Sequence, residues 1–175
     1  MKKIFFDSEF TGLHQNTTLI SIGLISDDNN CFYAEFTDYD KNQLDQWVIE
    51  NVISKLYLKN EFEISENIVN VKGNKIFIRN KLIEWILKQS KNSKLEFWSD
   101  CLSYDWVLFN QLFENKLLDC IYYIPFDICT LFKIKNIDPD ISREKFSDYK
   151  NIDRKHNALI DAKIIKMCYE KLNLL

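Results

Sequence analysis

Four carboxylates stand where the hydrophobic pattern calls for apolar side chains. Asp7 and Glu9 lie two residues apart in KKIFFDSEF (residues 2–10), an apolar, β-favouring run. Residues i and i+2 of a strand point to one face, about 6–7 Å apart, so their charges repel. In HNALIDAKIIKMCYEKL (156–172), helical spacing puts Ala158, Asp161, Ala162, Ile165, Cys168, Tyr169 and Leu172 on one face and Lys163, Lys166 and Glu170 on the other. Asp161 falls in the middle of the apolar face. In YDWVLFNQLFE (104–114), Asp105 lines up with Leu108, Phe109 and Leu112. An unpaired buried carboxylate costs several kcal/mol or protonates. A lone D-x-E carries little information, and one Asp on a helix's inner face reads as a cap or a hydrogen-bond acceptor. Four together, with a histidine opening the last segment, point to divalent cations. Hard oxygen ligands select Mg²⁺ or Mn²⁺, and two such ions about 3.5–4 Å apart clamp an in-line phosphoryl displacement.

These residues need elements to hold them. Residues 3–9, 18–26 and 31–37 read as three strands, with DDNN (27–30) as a turn, which suggests an antiparallel meander. A helix is expected over 41–56, from the spacing of Leu44, Trp47, Val48, Val52 and Leu56, with Asp40 as N-cap. Residues 60–73 read either way. A helix over 75–90, a strand over 95–100, a helix over 104–114 and a final helix over 157–172 follow. Pro125 and Pro139 interrupt 120–155, which has no clear pattern. The order predicts a single α/β domain over 1–175 with a central mixed sheet flanked by α-helices.

Composition agrees. With 46% hydrophobic and 14% aromatic residues, the chain fills a core. Five cysteines without a C-x-x-C pair argue against a disulfide framework or a cysteine zinc site and for a reducing compartment. Asp7 breaks the first apolar run too early for a signal peptide, and no run approaches the ~20 residues of a membrane span. The expectation is a cytoplasmic protein with no membrane association. A net charge of −3 argues mildly against wrapping long nucleic acid on a basic surface, but not against an enzyme that carries cations.

Three segments carry a family resemblance. DSEFTGL (7–13), WSDCLSYDWVLFNQLF (98–113) and HNALIDAKIIKMCYEKL (156–172) resemble, in order, the three motifs of the DEDDh 3′→5′ exonucleases. They are most similar to the small single-domain exoribonucleases first described in mycobacteria, and more distantly to oligoribonuclease and ribonuclease T. The second motif lacks the Asn and Gly often found before its Asp. The resemblance implies a ribonuclease H-like fold and two Mg²⁺ or Mn²⁺ ions. Asp7, Glu9 and Asp161 would hold one, Asp7 would bridge to the second, and Asp105 would serve the second. His156 would be the general base. On a continuous helix His156 would point about 140° away from Asp161, so it must precede the helix, in the loop 150–156. Phe10, Thr11, Gly12 and Leu13 would form the floor for the terminal nucleotide, with Leu13 as a wedge. The substrate implied is a single-stranded RNA 3′ end, cut to nucleoside 5′-monophosphates, and a homodimer could complete the groove.

Other readings stay open at this level. The same chemistry could act on single-stranded DNA, since no residue reads the 2′-hydroxyl unambiguously. A catalytically silent RNA- or protein-binding module would have no need of all five residues. Trp98, Tyr104 and Trp106 are stacking candidates, though ordinary core packing is the better reading of them. The lysines of 132–136 and 142–156 either track phosphates or coat a solvated loop. His14 fits the substrate mouth or a plain loop.

Overall fold

The computed structural model describes residues 1–114, 116–150 and 155–175. Its frame is a seven-stranded mixed sheet. β1 (Lys2–Phe10), β2 (Leu19–Ser26) and β3 (Cys31–Phe36) form the antiparallel meander, turned at Asn29 in the left-handed conformation (φ 61°). Helix α1 (Gln46–Asn51) follows. β4 (Phe62–Ser65) and β5 (Ile68–Gly73) form an edge hairpin, with β5 parallel to β3. After α2 (Lys75–Ser90), β6 (Leu95–Ser99) runs parallel to β1. After α3 (Leu102–Leu112), the two-residue β7 (Phe126–Asp127) extends that parallel edge. Helices α4 (Ile128–Ile134), α5 (Arg143–Ser147) and α6 (Ala158–Leu172) complete the chain. Strand order across the sheet is β4-β5-β3-β2-β1-β6-β7.

Strand alternation sorts side chains into two layers. Ile4, Phe6, Leu24, Phe32 and Ala34 pack against Ile78, Leu82, Trp85 and Ile86 of α2 and Leu108, Phe109 and Leu112 of α3. Phe5, Ile25, Cys31 and Tyr33 pack against Ile128 and Phe132 of α4 and Ala158, Ala162, Ile165 and Cys168 of α6. Directly paired residues of antiparallel strands share a face. Two rows therefore cross the α6 face: Asp7–Gly23–Tyr33 and Glu9–Ser21–Glu35. Both acids of β1 face α6. Helix α6 crosses so closely that a Cβ on Gly23 would lie 2.3 Å from the backbone of Ala158 and Leu159.

The segment 41–56 is not one helix. A 3₁₀ turn (Lys41–Gln43) is capped by Asp40, Leu44 is extended, α1 starts anew, and a second 3₁₀ turn covers Ile53–Lys55. The break comes from Asp45, whose carboxylate accepts the Val48 amide at 2.8 Å and restarts the helix. Helix α6 also buries more than its expected face. Lys166 is buried, its ammonium on Glu170 at 2.5 Å. The sheet and α5 both pack on α6, so a wider arc is covered. All five cysteines are free thiols. Among the described residues, no helix is long and apolar enough to cross a membrane.

Candidate active site

The carboxylates meet at the carboxyl ends of the parallel neighbours β1 and β6, where crevices form in open α/β sheets. Asp7, Glu9 and Asp161 each offer an oxygen within 4.8 Å of the others. Asp7, Asp100 and Asp105 form a second such group, so Asp7 belongs to both. Asp105 is 0% exposed and approaches from the α3 layer. Its Oδ1 accepts the Ser8 amide (3.2 Å) and hydroxyl, and its Oδ2 accepts the Ser99 hydroxyl. Ser8 alternates with Asp7 and Glu9 along β1, so one strand feeds both layers of the site.

The electrostatics leave this cluster uncompensated. Burial and then the neighbouring acids push Asp7 well above the usual carboxylate range and Glu9 up to about 8. Burial raises Asp105 to about 7 against the pull of the Ser8 and Ser99 hydrogen bonds. Burial and Asp100 raise Asp161 to about 7, with the His156 backbone amide partly offsetting them. No ion pair among the described residues involves Asp7, Glu9, Asp105 or Asp161. Apart from Asp100, which faces Arg143, this all-oxygen, partly buried carboxylate set has no ion-pair partner among the described residues, and it fits hard divalent ions.

Asp7, Glu9, Asp100 and Asp161 open into a pocket of about 620 Å³. His156 lines it too, one residue before the Asn157 cap of α6, with φ 62°. That places it ahead of the helix. Of the loop 150–156 that the sequence assigns to it, residues 151–154 lie outside the described residues. Burial, then Lys155, lowers the His156 pKa, which disfavours the charged imidazolium.

A family described as "3′-5′ exoribonuclease Rv2179c-like domain" matches residues 2–172. The chain belongs to this family. It is also similar to two curated 3′-5′ exoribonucleases of Mycobacterium tuberculosis, MT2234.1 from strain CDC 1551 / Oshkosh and Rv2179c from strain ATCC 25618 / H37Rv. Each is 35% identical over 54 residues, 31% of this chain and 32% of the relative. The match thus spans about a third of the length of these curated relatives.

On this exoribonuclease-family frame the remaining expected residues take distinct places. Phe10, Gly12 and Leu13 line the pocket, and Leu13 is 74% exposed at its lip. Phe10 stacks on Tyr104, centroids 5.2 Å apart. Thr11 points inward: its hydroxyl accepts the Thr18 amide (2.9 Å) and bonds Gln43, holding the turn. His14 is exposed beside Gly12 and is not itself among the residues that line the pocket. Trp98 and Trp106 stack on Phe126 and Phe109 against the two cores. Among the lysine-rich stretches, Lys155 pairs with Glu144 at 3.4 Å.

Three pocket residues escaped the sequence reading. Asp100 completes the second acidic group. Arg143 holds it, Nε to Oδ2 at 3.4 Å, while its other nitrogens bond Ile141 O, Pro139 O and Cys129 Sγ. Trp47, 53% exposed, sets its ring edge-on to His156 with centroids 5.0 Å apart. None of the three breaks an apolar pattern: Asp100 stands in the bend after β6, Trp47 fits the apolar helical spacing of 41–56, and Arg143 opens the short α5.

Proposed function

We propose that the chain is a metal-dependent 3′→5′ exoribonuclease that removes nucleoside 5′-monophosphates from single-stranded RNA. One observation carries the reading: two three-carboxylate groups share Asp7 in a pocket that His156 also lines, in a member of an exoribonuclease family. Asp7, Glu9 and Asp161 would hold one Mg²⁺ or Mn²⁺, and Asp7, Asp100 and Asp105 a second. When bound, such ions polarise the scissile phosphate and lower the pKa of water. The chain's own residues supply the rest. His156 takes the proton from the attacking water, a step suited to an imidazole near neutrality. Ser8 and Ser99 fix Asp105 in one orientation. Phe10, Gly12 and Leu13 meet the terminal nucleotide, with Thr11 holding their turn. The exposed Trp47 offers a base a stacking face, which is sequence-tolerant.

The test is a gel time course on 5′-labelled single-stranded RNA and matched DNA, with Mg²⁺, Mn²⁺ or EDTA, beside Asp7→Ala. The expected result is a ladder shortening from the 3′ end, faster on RNA, absent with EDTA and in the variant. Preference for DNA would reassign the substrate. Cleavage of neither strand with any metal would leave a binding module as the better account.

A further inference from the structure

Glu35 is a buried acid that the chemistry above does not use. It is 1% exposed and shares a cross-strand row with Glu9. Its Oε1 accepts the Tyr57 amide (2.7 Å), the Leu58 amide (3.0 Å) and the Tyr33 hydroxyl (3.2 Å). Its Oε2 faces Lys72 Nζ at 3.5 Å, and that ammonium also donates to Leu58 O at 2.7 Å. The Tyr33 hydroxyl accepts in turn from Asn157 Nδ2 at 3.4 Å. Asn157 caps α6 by accepting the Ile160 amide, and it directly follows His156.

Two segments therefore converge on one carboxylate. One is the arm 46–58, which carries Trp47 against the His156 ring and is tied down at Tyr57 and Leu58. Its end is further fixed by the Tyr57 ring lying flat on Tyr33, centroids 5.0 Å apart and planes within 3°. The other is the start of α6, with His156 in a left-handed conformation that is uncommon for a non-glycine residue. A buried charge must be paired or hydrogen-bonded to be tolerated: Lys72 faces Oε2, which has no hydrogen bond, and Oε1 takes all three. Here those bonds lead to both neighbours of the imidazole. We infer that Glu35 and Tyr33 are positioning residues for His156, acting through Asn157 on one side and the Trp47 arm on the other. The inference rests on the reading of His156 as the general base.

Tyr33→Phe keeps the ring stack and removes the relay hydroxyl. The chain has 2 histidines, so the imidazole Cε1–H NMR spectrum separates His156 from the exposed His14. In Tyr33→Phe the His156 signal is expected to move or broaden while that of His14 stays. The kcat should fall about tenfold, the size of one lost buried hydrogen bond, with KM and Mn²⁺ affinity unchanged. In a His156→Ala background, single-turnover rates should show no further loss from Tyr33→Phe, since residues that act as one unit are not additive. An equal loss in both backgrounds, or an unmoved His156 signal, overturns the inference. If Tyr33→Phe does not fold, Glu35→Gln retains an acceptor for the arm amides and is read by the same criteria. A His156→Ala chain with wild-type kcat would overturn the base reading instead, and the NMR comparison would still decide the positioning.

Discussion

Both oxygens of Asp105 are engaged by hydroxyls, whereas Asp100 lines the pocket with its Oδ2 facing Arg143. Asp105 is thus held rigidly, and Asp100 is the more adjustable member of its group. Arg143 keeps three other acceptors, so Asp100→Asn should fold normally. It should weaken one Mn²⁺ binding step by about 10–100-fold and leave the other intact, the loss typical of a perturbed metal shell. Titration calorimetry reads both steps, and two unchanged steps would remove Asp100 from the centre. At this scale the sequence was informative wherever a charge broke a strong pattern. Asp7, Glu9, Asp105 and Asp161 each interrupt apolar periodicity. Asp100 follows β6 in a non-periodic bend, and Trp47 looks like one more apolar residue of a helix. Neither breaks a pattern, so neither stood out.

At the scale of elements, the site depends on how closely α6 lies on the sheet. Gly23 sits in the row of Asp7 and Tyr33, and only its missing side chain lets the Ala158–Leu159 backbone approach. The added methyl of Gly23→Ala would meet backbone at 2.3 Å, which no rotamer change relieves. Destabilisation of at least about 1–3 kcal/mol is expected, as for overpacked cores. Because Asp161 rides on the displaced helix, Mn²⁺ affinity should fall as well. Urea unfolding with and without Mn²⁺ measures both. An unchanged midpoint would mean that α6 does not seat as described. The meander was legible as apolar runs, with β2 and β3 buried at every position, and α2, β6, α3 and α6 were legible because each buries one face. The hairpin β4–β5 was ambiguous because β4 is exposed throughout and offers no buried face to read. Segment 41–56 misled because an apolar spacing of helical period was cut by a competing cap at Asp45.

For the whole molecule, the concentrated acids set the pH response. Folded Glu9 keeps its proton up to about pH 8, against an ordinary value of 4.5, and Asp105 and Asp161 keep theirs to about 7, against 3.8. Across that window the folded chain binds more protons than the unfolded one. Stability from these groups is therefore complete below the unfolded values and is lost as pH rises through the folded ones. Metal-free protein should show a Tm that declines from about pH 5 to about pH 8. Mn²⁺ binds the deprotonated carboxylates of the folded state, so its stabilising shift should be largest at the alkaline end. Calorimetry in EDTA and in saturating Mn²⁺ tests this. A metal-free Tm that rises over the range, or a Mn²⁺ shift that shrinks, would contradict it.

Glu9 and Glu35 lie on the same face of the same sheet, with Ser21 between them. Lys72 stands beside Glu35, and no described ion pair reaches Glu9. Two acids of one row thus differ in their surroundings: Glu35 has a lysine and three hydrogen-bond donors, and Glu9 has no ion-pair partner among the described residues. A duplicated gene could leave catalysis by gaining one lysine near the second row while every acidic motif stayed intact. Motif matching across a lineage counts ligands and is blind to that gain, so silent copies would pass as enzymes until the neighbours of each carboxylate were compared.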